Sequence, residues 1–178
     1  HGIVNNTQFW PKDQVAAQSF NFAASIKVPT LWDAAHAKGL VTASVEWPSS
    51  LGSASIDHNF SVWPYPASGQ PDDARYQRLL NAAGLVNTLE AKLGPLHFIH
   101  RETVEEESED ARIAAALIAL YRPDLITVHF GALDEAEHKF GPGSAEAKAA
   151  LEAIDAYVGQ LIAAERAAAP DAVIAVVS

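Results

Sequence analysis

Residues 125–143 read LITVHFGALDEAEHKFGPG, and this stretch decides the fold. Leu125–Phe130 is a short apolar run with β-branched side chains, which is typical of a strand buried on both faces of a parallel sheet. Gly131–Gly143 predicts a loop that leaves the carboxyl end of this strand. Ligands of open α/β sheets bind beyond the carboxyl ends of the strands, so this loop is where chemistry is expected.

The chain on either side predicts further helices and strands. On the C-terminal side, Ser144 is expected to cap a helix that ends at Pro170, and the apolar run Ala172–Val177 predicts the next strand. The stripe of that helix expected to face a core comprises Leu151, Ile154, Val158, Leu161 and Ile162. On the N-terminal side the predicted elements are a helix at 31–38 between Thr30 and Gly39, a strand at 40–47, a long surface loop through 66, and helices at 72–83, at 85–93 and from Thr103 to about Tyr121.

This order predicts an α/β fold, in which a parallel sheet built from βαβ crossovers is sandwiched by helices. The 178 residues suffice for a single domain with its own core, and residues 71–112 are a predicted helical insertion in it. Residues 1–6 carry neither an initiating Met nor a signal-like segment, and residues 172–178 stop within a predicted strand. We therefore expect residues 1–178 to form one partial domain whose sheet is incomplete because both ends are truncated.

Composition excludes several classes of protein. The formal net charge of -10 repels a polyphosphate backbone, so a nucleic acid polymer is not an expected partner. Divalent cations held by carboxylates would reverse the local sign of the field, so a small phosphate ester remains compatible. The absence of cysteine excludes thiolate metal sites within these residues, and no apolar run approaches the ~20 residues of a membrane span.

Asp134 and His138 are the candidate metal ligands. They are four positions apart, so a turn of helix would place both on one face, where a carboxylate oxygen and an imidazole nitrogen could share one zinc-like ion. Glu135 and Glu137 would point elsewhere in that geometry. The competing interpretation is that both are polar residues of an exposed acidic loop, because Asp-x-x-x-His pairs often arise by chance.

Several segments together resemble the type I phosphodiesterase/nucleotide pyrophosphatase family of the alkaline phosphatase superfamily. The most specific is LDEAEHKFGPGS at 133–144, followed by LEAIDAYVGQL at 151–161. There the family has an Asp, three residues, a His, an aromatic or similar residue and Gly-Pro. The weaker matches are His1–Val4 with Asn6 to the family's HGI segment, Pro29–Ala34 with Gly39 to a helix, Trp47–Ser49 to a "WP" loop, and Val173–Ser178 to the strand before its Asp-His-Gly ligands. Residues 71–112 match no part of the family pattern.

The resemblance implies a metal-dependent phosphodiesterase or nucleotide pyrophosphatase that acts on a small phosphate ester or nucleotide. It further implies two divalent metal ions, usually zinc, and a Thr or Ser phosphoenzyme. Asp134 and His138 would ligate one ion. In the family the nucleophile precedes the HGI segment and further ligands follow the last strand, so no catalytic residue is expected within this chain, and the fragment alone is expected to be inactive. It also suggests a periplasmic or extracellular location.

Two alternatives remain open. The same fold could serve a phosphomonoesterase, a sulfatase or a phosphonate hydrolase, or it could form a non-catalytic binding domain. Exposed edges of an incomplete sheet are also expected to pair with another copy of the chain.

Other residues have a functional and a structural interpretation. Asp57-His58-Asn59 could touch substrate or a third ion, although a polar turn is the simpler interpretation. Trp47, Trp63 and Tyr65 could stack on a nucleoside or aryl group, or pack locally. Asp155 is expected to cap or pair internally. His1 could approach the site, because its segment follows the nucleophile turn in the family, although disorder is the expected state of a residue at a chain end. No role is assigned to His36, His97 and His100.

Overall fold

The computed structural model describes residues 3, 20–61, 81–97 and 103–178. In chain order, its described elements are a 3₁₀ turn at Ala23–Ser25, α1 at Leu31–His36, β1 at Thr42–Val45, β2 at His58–Phe60, α2 at Leu85–Leu93, α3 at Val104–Tyr121, β3 at Leu125–Val128, α4 at Ala132–Phe140 and α5 at Ala145–Ala168. Most of the helix predicted at 72–83 lies outside the described residues.

The three described strands form one parallel sheet in the order β2-β1-β3. Val45 pairs with Phe60 on one side and with Val128 on the other, so the carboxyl ends of all three strands lie at one edge. The backbone N–H of His129 donates to the carbonyl of Val45 at 3.1 Å, which extends this register past the end of β3. The predicted α/β fold, a parallel sheet flanked by helices, is confirmed.

The core lies between the sheet and helices α2 and α3. Side chains from β1, β2 and both helices are almost completely buried there: Ala43, Val45, Phe60, Leu85, Leu89, Ile113, Ala114 and Leu117. Removing this apolar surface from water is the main stabilising contribution to such a fold. The core therefore holds α3 in place against the sheet. Further elements pack on the other side of α3.

Local capping explains where the helices begin. Thr30, Thr103 and Ser144 each accept a hydrogen bond at their side-chain oxygen from a backbone N–H in the first turn of α1, α3 and α5. These bonds satisfy N–H groups that have no partner within the helix. The predicted starts of these helices are confirmed, and Gly39 adopts the left-handed conformation expected after α1.

The Asp57-His58-Asn59 segment is not a polar turn, because β2 begins at His58 inside the predicted loop. Asn59 is buried, and its side-chain amide donates to the carbonyl of Ser50 at 2.9 Å. The Asp57 carboxylate accepts from the backbone N–H and the hydroxyl of Thr42 at 2.8 and 3.0 Å. The backbone bond from Thr42 is the main reason that the pKa of Asp57 lies below its usual value. The segment therefore joins the amino ends of β1 and β2.

Helix α5 packs with only part of the predicted apolar stripe: Ile154, Val158 and Leu161 are half-buried, and Leu161 packs against the core. Leu151 and Ile162 are 52% and 37% exposed, whereas Ala147 and Ala150 are each only 3% exposed. The helix packs on α3 and α4, where alanine lets the helix backbones approach closely. The stripe was chosen by side-chain size, so the prediction missed the two alanines that are the most buried residues of this helix.

The strand predicted at Ala172–Val177 is wrong, because these residues are not paired with the sheet. The guanidinium of Arg166 donates to the carbonyls of Pro170 and Ala172, each at 2.6 Å, and so turns the chain at the end of α5. Val173 and Val176 are 96% and 73% exposed. An exposed apolar segment that pairs with none of the described strands therefore follows α5.

We predict that the 178-residue chain self-associates, with residues 172–177 of one copy pairing beside β3 of another. An exposed apolar strand edge is a template for such pairing. Light scattering should give a mass above that of the monomer, and a V173K/V176K double variant should lower it toward the monomer. Ala163→Lys, at an exposed position of α5, is the matched control. A parent chain that stays monomeric at high concentration would contradict the prediction.

Candidate metal centre

The segment Gly131–Gly143, predicted as a loop, contains the nine-residue helix α4. Asp134 and Glu135 lie in its first turn and His138 and Lys139 in its last turn, which is the charge order that the helix dipole favours. Gly141 ends the helix with a positive φ of 92°. The helix begins four residues after the end of β3, at the carboxyl edge of the sheet.

Asp134 and His138 converge on one face of α4. The His138 Nε2 atom lies 3.4 Å from Asp134 Oδ2, and both side chains are 77% exposed. One carboxylate oxygen and one imidazole nitrogen at this separation are a donor set that fits a zinc-like ion. The two residues singled out from their spacing are therefore close together and accessible.

The part of the chain that the structure describes brings no further metal ligand to this pair. Within residues 20–61, 81–97 and 103–178, no three His, Cys, Asp or Glu side chains form a group that could hold a metal ion. Glu135 is exposed and Glu137 is half-buried. The described residues thus offer two donors to one ion.

An aromatic contact links the ends of β1 and β3 at the same edge of the sheet. Trp47 follows β1, and its ring lies edge-on to His129, which follows β3, with centroids 6.4 Å apart. Trp47 also packs edge-on against Trp32 at 6.0 Å, and it remains 37% exposed. Trp47 therefore packs locally while part of its ring faces solvent, whereas Trp63 and Tyr65 lie outside the described residues.

Two buried carboxylates of α3 were not anticipated from the sequence. Glu107 is 2% exposed, and its Oε1 atom accepts a hydrogen bond from the backbone N–H of Ala132 at 2.5 Å. Asp110 is 6% exposed. Both fall in the helical register of the buried residues Ala114 and Leu117, so an acidic residue within an otherwise apolar stripe was the available signal.

The pKa of Asp110 is raised to about 9. Burial is the largest cause, since it disfavours the charged carboxylate, and the negative charges of Glu46, Glu106, Glu107 and Glu109 add to it. Glu46 directly follows β1 and has a left-handed backbone with φ of 51°. These acidic residues therefore make the electrostatic potential around Asp110 strongly negative.

The other described polar side chains with candidate roles are either exposed or in contact with residues outside the metal pair. Asp155 is exposed, so the expected internal partner is wrong. His36 Nδ1 lies 3.7 Å from Asp57 Oδ1, and His97 Nδ1 lies 3.2 Å from Glu109 Oε2. His58 stacks on Tyr121 with ring centroids 3.6 Å apart. His1, Asn6 and His100 lie outside the described residues.

The described fold is a parallel α/β sheet flanked by helices, with candidate ligands at its carboxyl edge, and it is consistent with the alkaline phosphatase-like fold. The family model for type I phosphodiesterase / nucleotide pyrophosphatase matches residues 1–178, and the chain belongs to this family. A search of curated proteins and a search of solved structures each found no match.

Membership of this family indicates the class of reaction. The family comprises hydrolases of phosphodiester and pyrophosphate bonds that act on small phosphate esters and generally depend on divalent metals. Among the described residues, no helix combines the length and the apolar character that a bilayer span requires.

Proposed function

We propose that this chain supplies one metal-ligand pair, Asp134 and His138, to an enzyme that hydrolyses phosphodiester or pyrophosphate bonds through a Thr or Ser phosphoenzyme. The observation that carries the proposal is the 3.4 Å approach of His138 Nε2 to Asp134 Oδ2 on a helix at the carboxyl edge of the sheet. By the resemblance, the enzyme uses two divalent ions, usually zinc. The nucleophile belongs to the segment that precedes the HGI motif in the family.

The two side chains have different tasks in this proposal. The Asp134 carboxylate would supply one oxygen ligand to the cation, and the His138 imidazole would supply one nitrogen ligand. Both side chains are 77% exposed, so the site is open to a substrate as well as to an ion. A bound divalent ion supplies Lewis acidity toward phosphate oxygens and lowers the pKa of bound water.

Bound cations would allow this acidic chain to bind an anionic substrate. A formal net charge of -10 repels phosphate esters unless cations reverse the sign of the local field. The partly exposed ring of Trp47, at the same edge, offers a face for an aryl or nucleoside group. The proposed substrate is therefore a small phosphodiester or nucleotide rather than a nucleic acid polymer.

A chelation experiment with a substrate panel tests this function. In a protein that carries both this chain and the nucleophile segment, chelation should abolish hydrolysis of an aryl phosphodiester, and added Zn²⁺ should restore it. The panel contains an aryl phosphodiester, an aryl phosphomonoester, an aryl sulfate, an aryl phosphonate ester and a nucleotide pyrophosphate. We expect the diester and the pyrophosphate to give the highest kcat/KM.

The outcomes separate the alternatives. A preference for the monoester, the sulfate or the phosphonate ester would replace the proposed activity with that of another member of the superfamily. Binding of nucleotide without turnover of any substrate would favour a non-catalytic domain. Full activity after chelation would contradict the metal-dependent mechanism itself.

A further inference from the structure

The start of helix α4 is held by a residue from another helix. Its N-cap residue, Gly131, has no side chain that could accept a hydrogen bond, whereas α1, α3 and α5 are each capped by their own Thr or Ser. The first N–H of α4, on Ala132, instead donates to Glu107, which lies 25 positions earlier on α3. The first N–H of α4 therefore has a partner that its own sequence does not provide, whereas α2, with Gly84 as its N-cap residue, has no side-chain cap.

The contact is short and enclosed. The donor–acceptor distance is 2.5 Å, and Glu107 and Ala132 are 2% and 3% exposed. Hydrogen bonds from a backbone N–H to a carboxylate are charge-assisted and stronger than neutral ones. A carboxylate at this position is also favoured by the partial positive charge at the helix N-terminus.

Helix α3, which carries Glu107, is itself held in place by the core. Ile113 and Leu117 on the same helix are fully buried in the core, and α3 packs against β1. Through Glu107, the first residue of α4 is therefore hydrogen-bonded to a helix that the core holds in place. Asp134 lies two positions beyond that residue, and His138 lies one helical turn further along α4.

We propose that Glu107 is a positioning residue for the metal pair: its carboxylate fixes the start of α4 and so holds Asp134 and His138 in place at the strand ends. This inference rests on the proposed function, because it assumes that the pair binds a metal ion. Residues that orient metal ligands without touching the ion typically change metal affinity by 10–100-fold when replaced. Glu107 acts on the ligands through the backbone of α4.

Zn²⁺ binding by the purified 178-residue chain tests the proposal, with affinity measured by competition with a chromogenic chelator. Glu107→Met keeps the length of the side chain but removes the acceptor, so it should weaken Zn²⁺ binding by about tenfold or more. Glu107→Gln keeps an acceptor oxygen and should bind Zn²⁺ within about twofold of the parent. Hydrogen exchange at the Ala132 amide, measured without metal, should be faster in Glu107→Met only.

Two further variants keep the result interpretable. Leu89→Ala removes buried volume from the core on α2, a helix that carries neither Glu107 nor the metal pair, so it should lower stability while Zn²⁺ affinity stays at the parent value. If the Glu107→Met chain does not fold, Glu107→Asp replaces it, since the shorter side chain withdraws the carboxylate from Ala132. The expected result for Glu107→Asp is the same weakening.

The outcomes distinguish this proposal from the proposed function. If His138→Ala weakens Zn²⁺ binding and Glu107→Met does not, the positioning role of Glu107 is overturned while the metal pair stands. If Leu89→Ala weakens binding as much as Glu107→Met, the effect is one of general stability and the proposal is also overturned. If His138→Ala binds Zn²⁺ like the parent, the ligand assignment fails and the role of Glu107 fails with it.

Discussion

Replacement of His138 by alanine is expected to lower kcat/KM for an aryl phosphodiester by about 10³-fold in the protein that carries the nucleophile. Loss of one of the two described donors leaves the ion poorly held, and metal ions contribute several kcal/mol to stabilising charge in such reactions. Each ~1.4 kcal/mol corresponds to a tenfold change in rate, which sets the expected scale. Asp134→Ala should have an effect of similar size, measured with Zn²⁺ in excess.

Glu135→Ala is the matched control for Asp134→Ala. It removes an exposed carboxylate from the same turn of α4 and should change kcat/KM by less than about twofold, since exposed substitutions away from a site are nearly neutral. Parent-like activity of His138→Ala in a metal-replete assay would refute the assignment of that residue as a ligand. A large loss in Glu135→Ala would show instead that the acidic turn acts through its total charge.

Stability is expected to fall as pH rises, because Asp110 holds a proton in the folded chain. Its folded pKa of about 9 exceeds the ordinary value of 3.8, so the folded state binds more protons between these values. This contribution is complete below pH ~4 and is lost as pH rises toward 9. One pKa unit corresponds to about 1.4 kcal/mol, so the change between pH 5 and pH 8 is on the order of 4 kcal/mol.

Asp110→Asn should remove this dependence, because the amide has the shape of the protonated acid and does not titrate. Urea unfolding at pH 5 and at pH 8 measures the free energy of unfolding of both proteins. The difference between variant and parent isolates Asp110 from titrating groups that the two share, such as His58. Glu105→Gln, an exposed position of α3, is the control and should leave the parent slope unchanged. An Asn variant with the parent slope would contradict the assignment.

Elements with local signals could be predicted from the sequence. Helix α2 has the predicted bounds, and α3 and α5 begin where Thr103 and Ser144 predicted, because a cap and its partner are only three residues apart. Strand β2 was missed because Asn59 is polar, and its burial depends on a bond to Ser50 that periodicity does not reveal. The apolar run after α5 predicted a strand, but a strand also requires a neighbour to pair with.

The candidate metal centre also has one feature that could be predicted from the sequence and others that could not. The approach of Asp134 to His138 follows from their four-residue spacing once the segment is helical, so it could be predicted. The helix itself was predicted as a loop because glycines flank it and its start has no local cap. The bond that holds that start comes from Glu107, whose burial the register of α3 could indicate but whose partner, 25 positions further along the chain, it could not.

The order of strands in the sheet has a consequence for folding. The β1–β2 pairing joins positions about 15 residues apart, whereas the β1–β3 pairing joins positions 83 residues apart. Closing the longer loop costs about 1.5 kcal/mol more in chain entropy, since this cost grows with the logarithm of loop length. We therefore expect β3 to dock late, after a nucleus of β1 and β2 has formed. Because α4 follows β3, we expect its Asp-His pair to take up its position only once β3 has docked.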